Sequence, residues 1–285
     1  MSESKQIKKR LVWLVSYPKS GNTWIRLFLS ALLNKGQPDI NGGLGAIYSS
    51  YLPESILDLD MDGLSLFDKH HYRIKAYEYL NEQINSYQFI KVHDSYIDPD
   101  LGLGLLPVKS TNLCVYIVRN PLAIAPSLAN HMNESIDFVI KKYLTNPKAR
   151  LSINTKKPSG QMEQFLGTWQ SHVRSWTSQT DVPVLVIKYE ELKSEPLSTF
   201  RSLVEALGLS YGDSQIQEAI DNSSFEKMQD LERKIGFVER PYTSRFFFYK
   251  GQSDYWKEVL TKSQIDSIVE FNRDMMFKYG YLKQF

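Results

Sequence analysis

Leu11-Val12-Trp13-Leu14-Val15-Ser16 runs directly into Tyr17-Pro18-Lys19-Ser20-Gly21-Asn22-Thr23-Trp24. A short apolar run without strict alternation suits a strand covered on both faces. Beyond it, residues 23–33 carry a helical pattern, so strand, tight turn and helix N-terminus follow one another. That arrangement aims several backbone N–H groups at one point and adds the positive end of a helix dipole, which makes an anion cradle. Lys19 contributes a full charge, Ser20 and Thr23 contribute hydroxyls, and Trp24 offers a flat face on which a base can stack. The plainer reading of the same letters is an ordinary turn whose Ser and Asn cap the helix.

Outward from this stretch, residues 89–92, 113–118 and 182–188 form further apolar runs, and helical patterns occupy 122–131, 161–177, 197–207 and 262–279. Alternating strand and helix predict an α/β chain with a central parallel sheet, right-handed crossovers and helices on both faces. Ligands of such sheets collect beyond the carboxyl ends of the strands. No repeat, low-complexity tract or linker divides the sequence, so residues 1–285 read as one domain. Stretches 36–82 and 142–159, rich in Gly, Pro, Asn and charge, read as insertions that shape an acceptor pocket or a lid.

The 34 basic and 32 acidic side chains leave a net charge of only +2. This disfavours a nucleic-acid or anionic-membrane partner, so any anion binding is local. A single cysteine, Cys114, excludes a disulfide framework and suits a reducing cytoplasm, where it reads as a small core hydrophobe. The apolar stretch at 11–15 is too short for a signal peptide or a membrane span, so a cytoplasmic protein is expected.

The turn is not a kinase-type phosphate loop: its lysine precedes the glycine, and Arg119-Asn120-Pro121 follows the 113–118 run where a metal-holding aspartate is expected. A magnesium nucleotide is therefore disfavoured, and no metal site is assigned. Tyr17 to Trp24 instead resembles the 5′-phosphosulfate loop of the sulfotransferases that use PAPS (3′-phosphoadenosine-5′-phosphosulfate), with Asn22 replacing one threonine of that motif. The resemblance implies a P-loop-like three-layer α/β domain, with Lys19, Ser20, Gly21, Asn22, Thr23 and Trp24 on the nucleotide and Lys19 also catalytic.

Further landmarks occur in order. Arg119 with Ser127 resembles the 3′-phosphate motif; a strand-end guanidinium and a helix hydroxyl can share one phosphate. Lys91-Val92-His93 is similar to the segment whose histidine is the family's general base, a role suited to activating a poorly nucleophilic hydroxyl. Lys91 either supports the leaving phosphate or covers the sheet edge. Tyr189 resembles an element on the adenine or phosphate side, with Glu190 ordering the loop. Ser223 and Phe225 resemble the stretch that closes over the adenine opposite Trp24. Tyr249, Lys250 and Gly251 resemble the C-terminal phosphate motif, in which Tyr249 stands for an arginine that Arg245 can replace.

These resemblances imply sulfuryl transfer from PAPS to a hydroxyl, or an amine or other nitrogen, of a small acceptor, releasing PAP without a metal. In such a reaction His93 takes the proton while Lys19, with Lys91, meets the charge on the departing phosphate. Asp58, Asp60, Asp62 and Asp68, with Glu54, suggest either a rim for a cationic acceptor or a solvated acidic loop. His70 and His71 read as surface residues. Monomer and homodimer both stay open, because Lys257, Thr261, Lys262 and Asp266 match the family's dimer signature only in part. The rival readings are a magnesium-dependent small-molecule or nucleoside kinase and a non-catalytic PAP-binding module.

Overall fold

Four parallel strands form the centre of the protein: β1 (Leu11–Ser16), β2 (Gln88–Val92), β3 (Thr111–Val118) and β4 (Val184–Lys188), in the order β2-β1-β3-β4. The computed structural model describes residues 9–42, 44, 56–61, 63–151, 162–240, 246–248 and 251–282. β1 is buried at every residue, which explains why its sequence is apolar from Leu11 to Val15 and does not alternate. Its odd positions, Trp13 and Val15 among them, face one layer of helices, and its even positions Val12 and Leu14 face the other. Each large apolar side chain so enclosed contributes about 1.5–3 kcal/mol.

The first layer contains α3 (Pro121–Met132), α4 (Trp169–Thr177) and the C-terminal α9 (Lys262–Lys278), which cover Trp13, Cys114 and Tyr116. The second contains α1 (Asn22–Leu33), α6 (Pro196–Ala206) and α7 (Asp213–Asn222) against Val12, Val115 and Ile187. Between β4 and α6 lies the short α5 (Tyr189–Ser194), and α8 (Phe225–Ile235) comes after α7. The expected three-layer α/β architecture is thus present. Among the described residues no helix is long and apolar enough to cross a membrane.

Three sequence readings need correction. The C-terminal part of the insertion expected at 36–82 is helical, forming α2 (Leu66–Gln83), whose Tyr77 packs edge-on against Trp13 at 4.7 Å between centroids. On α2, His70 is buried rather than superficial, its Nδ1 2.9 Å from Arg73 Nη2 and its Nε2 3.1 Å from the Gly104 carbonyl; His71 is exposed. The helix expected at 161–177 starts only at Trp169: Gly167 adopts φ 65, and the Thr168 hydroxyl caps the helix by accepting from Ser171 N–H. Residues 152–159 of the second insertion, like Glu54 and Asp62, lie outside the described residues.

The strand order places β1 and β3 side by side while their connections leave in opposite directions, a switch point that opens a crevice at the carboxyl edge. Register aligns the strand ends: Val15 pairs with Val92, Ser16 with Ile117 and Val118 with Lys188. The next residues along the chain, Tyr17, His93, Arg119 and Tyr189, therefore emerge together.

Candidate active site

A cleft of about 950 Å³ opens at this edge. Lys19, Gly21, Thr23 and Trp24 line it from the turn after β1, joined by Lys91, His93, Arg119, Ser127, Tyr189, Ser223, Phe225 and Gly251 from other parts of the chain. Residues as distant in sequence as Lys19 and Gly251 thus meet. Arg245, Tyr249 and Lys250 lie outside the described residues.

The turn has the geometry of an anion cradle. Lys19 and Gly21 both have positive φ, 67° and 105°, which turns successive N–H groups the same way. No side chain caps the start of α1, so the helix-cap reading of this stretch fails and its first N–H groups stay available. A Cβ at Gly21 would come within 2.5 Å of the Tyr189 ring, so glycine is required by space as well as by backbone. Ser20 is buried with an Oγ that has no partner among the described residues, although its residue does not line the cleft. Asn22 also lines the cleft, but its Nδ2 is committed to the Leu14 carbonyl at 2.7 Å, while its Oδ1 is buried without a partner among the described residues. Thr23 Oγ1 accepts from Arg26 at 3.1 Å.

Arg119 joins the two sides of the switch point. It donates to the Lys19 carbonyl at 2.8 Å and to that of Gln252 at 3.4 Å, its guanidinium lies 4.2 Å from the Tyr189 ring centre, and its Nε is buried without a partner among the described residues. Glu190 orders the neighbouring loop as expected, accepting from Asn120 N–H at 3.1 Å and from the Tyr281 hydroxyl at 2.9 Å. Ser127 lies on α3 facing the cleft. Phe225 touches Gly251, where an added Cβ would stand 2.9 Å from the ring. Ser223 donates its hydroxyl to the Ala219 carbonyl at 2.8 Å, so towards the cleft it acts only as an acceptor.

His93 is held in one tautomer. Its Nδ1 lies 2.7 Å from the Ser16 carbonyl, which can only accept, so Nδ1 carries the proton and Nε2 keeps a lone pair. Its own carbonyl accepts from His172 Nε2 at 3.0 Å, and His172 Nδ1 in turn accepts from the Tyr116 hydroxyl at 2.9 Å. Burial, aided by the nearby Lys91 charge, keeps the His93 imidazole neutral well below its ordinary titration range.

Cations crowd the site. Burial and the charges of Arg119 and Lys91 bring the Lys19 ammonium down to about 7, and its Nζ lies 4.2 Å from the Phe247 ring centre. Burial, with Arg26 nearby, brings Lys91 down to about 8. His131, one turn beyond Ser127 on α3, is pushed down to about 3 by burial and by Lys19 and Lys91. Such mutual depression is what an anion would relieve.

Sequence reasoning missed several contributors. Glu239 bonds Lys91 at 3.1 Å and Arg26 at 2.6 Å. The buried Glu232 carboxylate accepts from Phe247 and Phe248 N–H at 2.7 and 3.1 Å, fixing the segment over Lys19. Lys193 reaches the Gly251 carbonyl. The Lys193 position, one turn beyond Tyr189, was open to recognition from helical spacing; the two carboxylates carry no local signal. Of the acidic stretch, Asp68 serves the start of α2, its N–H donating to the capping Ser65 hydroxyl and its carboxylate accepting from it, and neither Asp58 nor Asp60 lines the cleft.

The family model of the sulfotransferase domain matches residues 9–280. A 3-alpha-hydroxysteroid sulfotransferase of Cavia porcellus is 25% identical over 278 residues, covering 93% of this chain and 83% of the relative. A flavonol 3-sulfotransferase of Flaveria bidentis is 24% identical, covering 90% and 78%. Among solved structures, mouse sulfotransferase SULT7A1 complexed with PAP superposes with a TM-score of 0.58 at 21% identity over 97% of this chain and 89% of that one. Retinol dehydratase in complex with androsterone and PAP gives 0.60 at 16% identity, covering 95% and 82%. The chain that carries this cradle, guanidinium and imidazole at one sheet edge belongs to the sulfotransferase domain family and is a transferase of the sulfuryl-transfer class.

Proposed function

We propose that this protein, as a single cytoplasmic domain, transfers the sulfuryl group of PAPS to a hydroxyl or nitrogen of a small acceptor, with His93 as general base. The observation that carries the reading is the His93 Nδ1 donation to the Ser16 carbonyl at 2.7 Å, because it leaves Nε2 unprotonated in a ring that lines the cleft beside Lys19 and Lys91.

The residues present fit the nucleotide. The uncapped start of α1 and the two positive-φ residues suit a 5′-phosphosulfate, and Arg119 with Ser127 suits a 3′-phosphate. Trp24 and Phe225 offer ring faces to the adenine. PAPS supplies an electrophilic sulfur joined to a phosphate leaving group. The chain does the rest: Nε2 of His93 takes the acceptor's proton, while Lys19 and the turn's N–H groups hold positive charge where the leaving oxygen becomes anionic. The Phe247 ring, its centre 4.2 Å from Lys19 Nζ, offers its face to that charge.

The test is a panel of candidate phenols, alcohols and amines incubated with isotopically labelled PAPS, read by mass gain of one sulfuryl group and by PAP release. His93→Ala is expected to bind PAP as the unaltered protein does and to lose about 10²–10⁴-fold in turnover. Unimpaired turnover by that variant overturns the base assignment, and magnesium-dependent ATP turnover in place of PAP release overturns the donor.

A further inference from the structure

Lys91 sits at the end of the edge strand β2, two residues before His93, with a flexible four-carbon stem and a cleft-facing ammonium. Besides Glu239, four other charged or titratable groups among the described residues act on it: Arg26 from α1, Lys19 from the turn after β1, His131 from α3 and His93 from its own strand end. All but Glu239 are cations or imidazoles. The Glu239 carboxylate divides its oxygens between Lys91 (3.1 Å) and Arg26 (2.6 Å), and all three side chains are at most 14% exposed. Arg26 also donates to Thr23 Oγ1 at 3.1 Å, so a continuous chain Thr23–Arg26–Glu239–Lys91 links the cradle helix to the strand that carries His93.

The Glu239 turn is itself fixed. Asn41 donates to the Gly236 carbonyl at 3.2 Å and accepts from Val238 N–H at 2.9 Å, while Phe237 packs in a buried cluster with Leu27, Ile40 and Phe248. A carboxylate so anchored does more than neutralise surface charge. Without it, the Arg26 and Lys91 cations would lose the carboxylate that stands between them, and the lysine ammonium would lose the ion pair that anchors it to the 236–240 turn.

We infer that Glu239 is a positioning residue, which aims the Lys91 ammonium into the cleft and keeps it charged, and which acts on turnover through Lys91. The turnover half of this inference rests on the sulfuryl-transfer reading above; the pairing half does not. Glu239 also opposes the loss of the Lys91 proton, countering the burial that favours it.

Two measurements separate the halves. The first needs no turnover: acetic anhydride labelling of the intact protein across pH, with Lys91 modification read by peptide mass spectrometry. In E239Q, Lys91 is expected to label at a pH lower by roughly one unit or more, the scale set by an opposite charge at bonding distance. An unchanged labelling midpoint overturns the pairing. E239D, which keeps the charge one methylene back, serves as the second variant and is expected to give an intermediate midpoint. The second measurement compares E239Q, K91M and the double variant with PAPS and an acceptor found by the panel. E239Q is expected to lower kcat about 10–100-fold, to move the alkaline limb of the rate to lower pH, and to add nothing to the loss in K91M. Losses that multiply in the double variant overturn action through Lys91. A shifted labelling midpoint in a protein that sulfates no acceptor leaves the Glu239–Lys91 pairing standing and brings down the sulfuryl-transfer reading instead.

Discussion

The guanidinium of Arg119 donates to the backbone carbonyl of Lys19 at 2.8 Å, across 100 residues of sequence. This bond spans the gap between β1 and β3, so the residue that reads as a phosphate ligand also sets how far apart the turns after those strands stand. The same guanidinium lies over Tyr189, which abuts Gly21. Four landmarks from three strand ends therefore form one packed unit.

Replacing Arg119 separates charge from geometry. Arg119→Lys keeps a cation but loses the planar fork that reaches Lys19 and Gln252 and lies over a ring. PAP affinity, measured by titration calorimetry, is expected to fall about 10-fold or more in the lysine variant and about 100-fold or more in Arg119→Ala. A lysine variant that binds PAP as tightly as the unaltered protein would mean that Arg119 acts as a point charge only.

Chain-local features are legible in the sequence. The β1 strand, its turn and the strand-end residues His93, Arg119 and Tyr189 depend on hydrophobic runs and on the residues immediately C-terminal to them. Features that escape it depend on distant pairing. Glu239 meets Lys91 across 148 residues, and nothing in the letters around Glu239 distinguishes it from a solvated acid. The helix α2 hides in the sequence because its buried face carries His70, Arg73 and Asn81, which mask the apolar period that reveals other helices. Asn22 and Ser223 match the nucleotide motifs in position, yet both side chains give their protons to backbone carbonyls of the chain itself. Sequence shows which groups are near; competition for hydrogen bonds decides which are free.

The pH profile is set by the crowding of cations. His93 stays neutral well below its ordinary range, so the base role proposed for it predicts no acid limb near 6.5. The lysines set the other side: Lys19 titrates at about 7 and Lys91 at about 8, and each loses the charge that attracts an anionic donor as pH rises. For the free protein, kcat/KM for PAPS is therefore expected to be level below neutrality and to decline from about pH 7 to 8 upward. A bound polyanion favours the protonated lysines, so the decline in kcat should come at higher pH than the decline in kcat/KM. Added salt should weaken donor capture more than turnover. A profile that rises through pH 6.5 and stays level to pH 9 would contradict the buried, mutually repelling arrangement.

Gly21 tests whether the cradle is as rigid as its contacts imply. Its φ of 105° lies outside what a residue with a Cβ adopts at ease, and a Cβ there would stand 2.5 Å from Tyr189 Cδ2. Tyr189 has little room to retreat, with Arg119 over one face and Trp24 edge-on at 6.0 Å. Gly21→Ala is thus expected to cost about 1–3 kcal/mol in backbone strain, visible as a lowered Tm, and to weaken PAP binding about 10-fold or more because a displaced Tyr189 unseats Arg119. Adding Tyr189→Ala makes room for the methyl group but leaves the backbone strain. The double variant should therefore recover neither Tm nor affinity, since the strain persists, a buried ring is lost and nothing remains beneath Arg119. Full affinity in Gly21→Ala alone would show a turn that adapts to its ligand, and the preformed cradle would have to be given up.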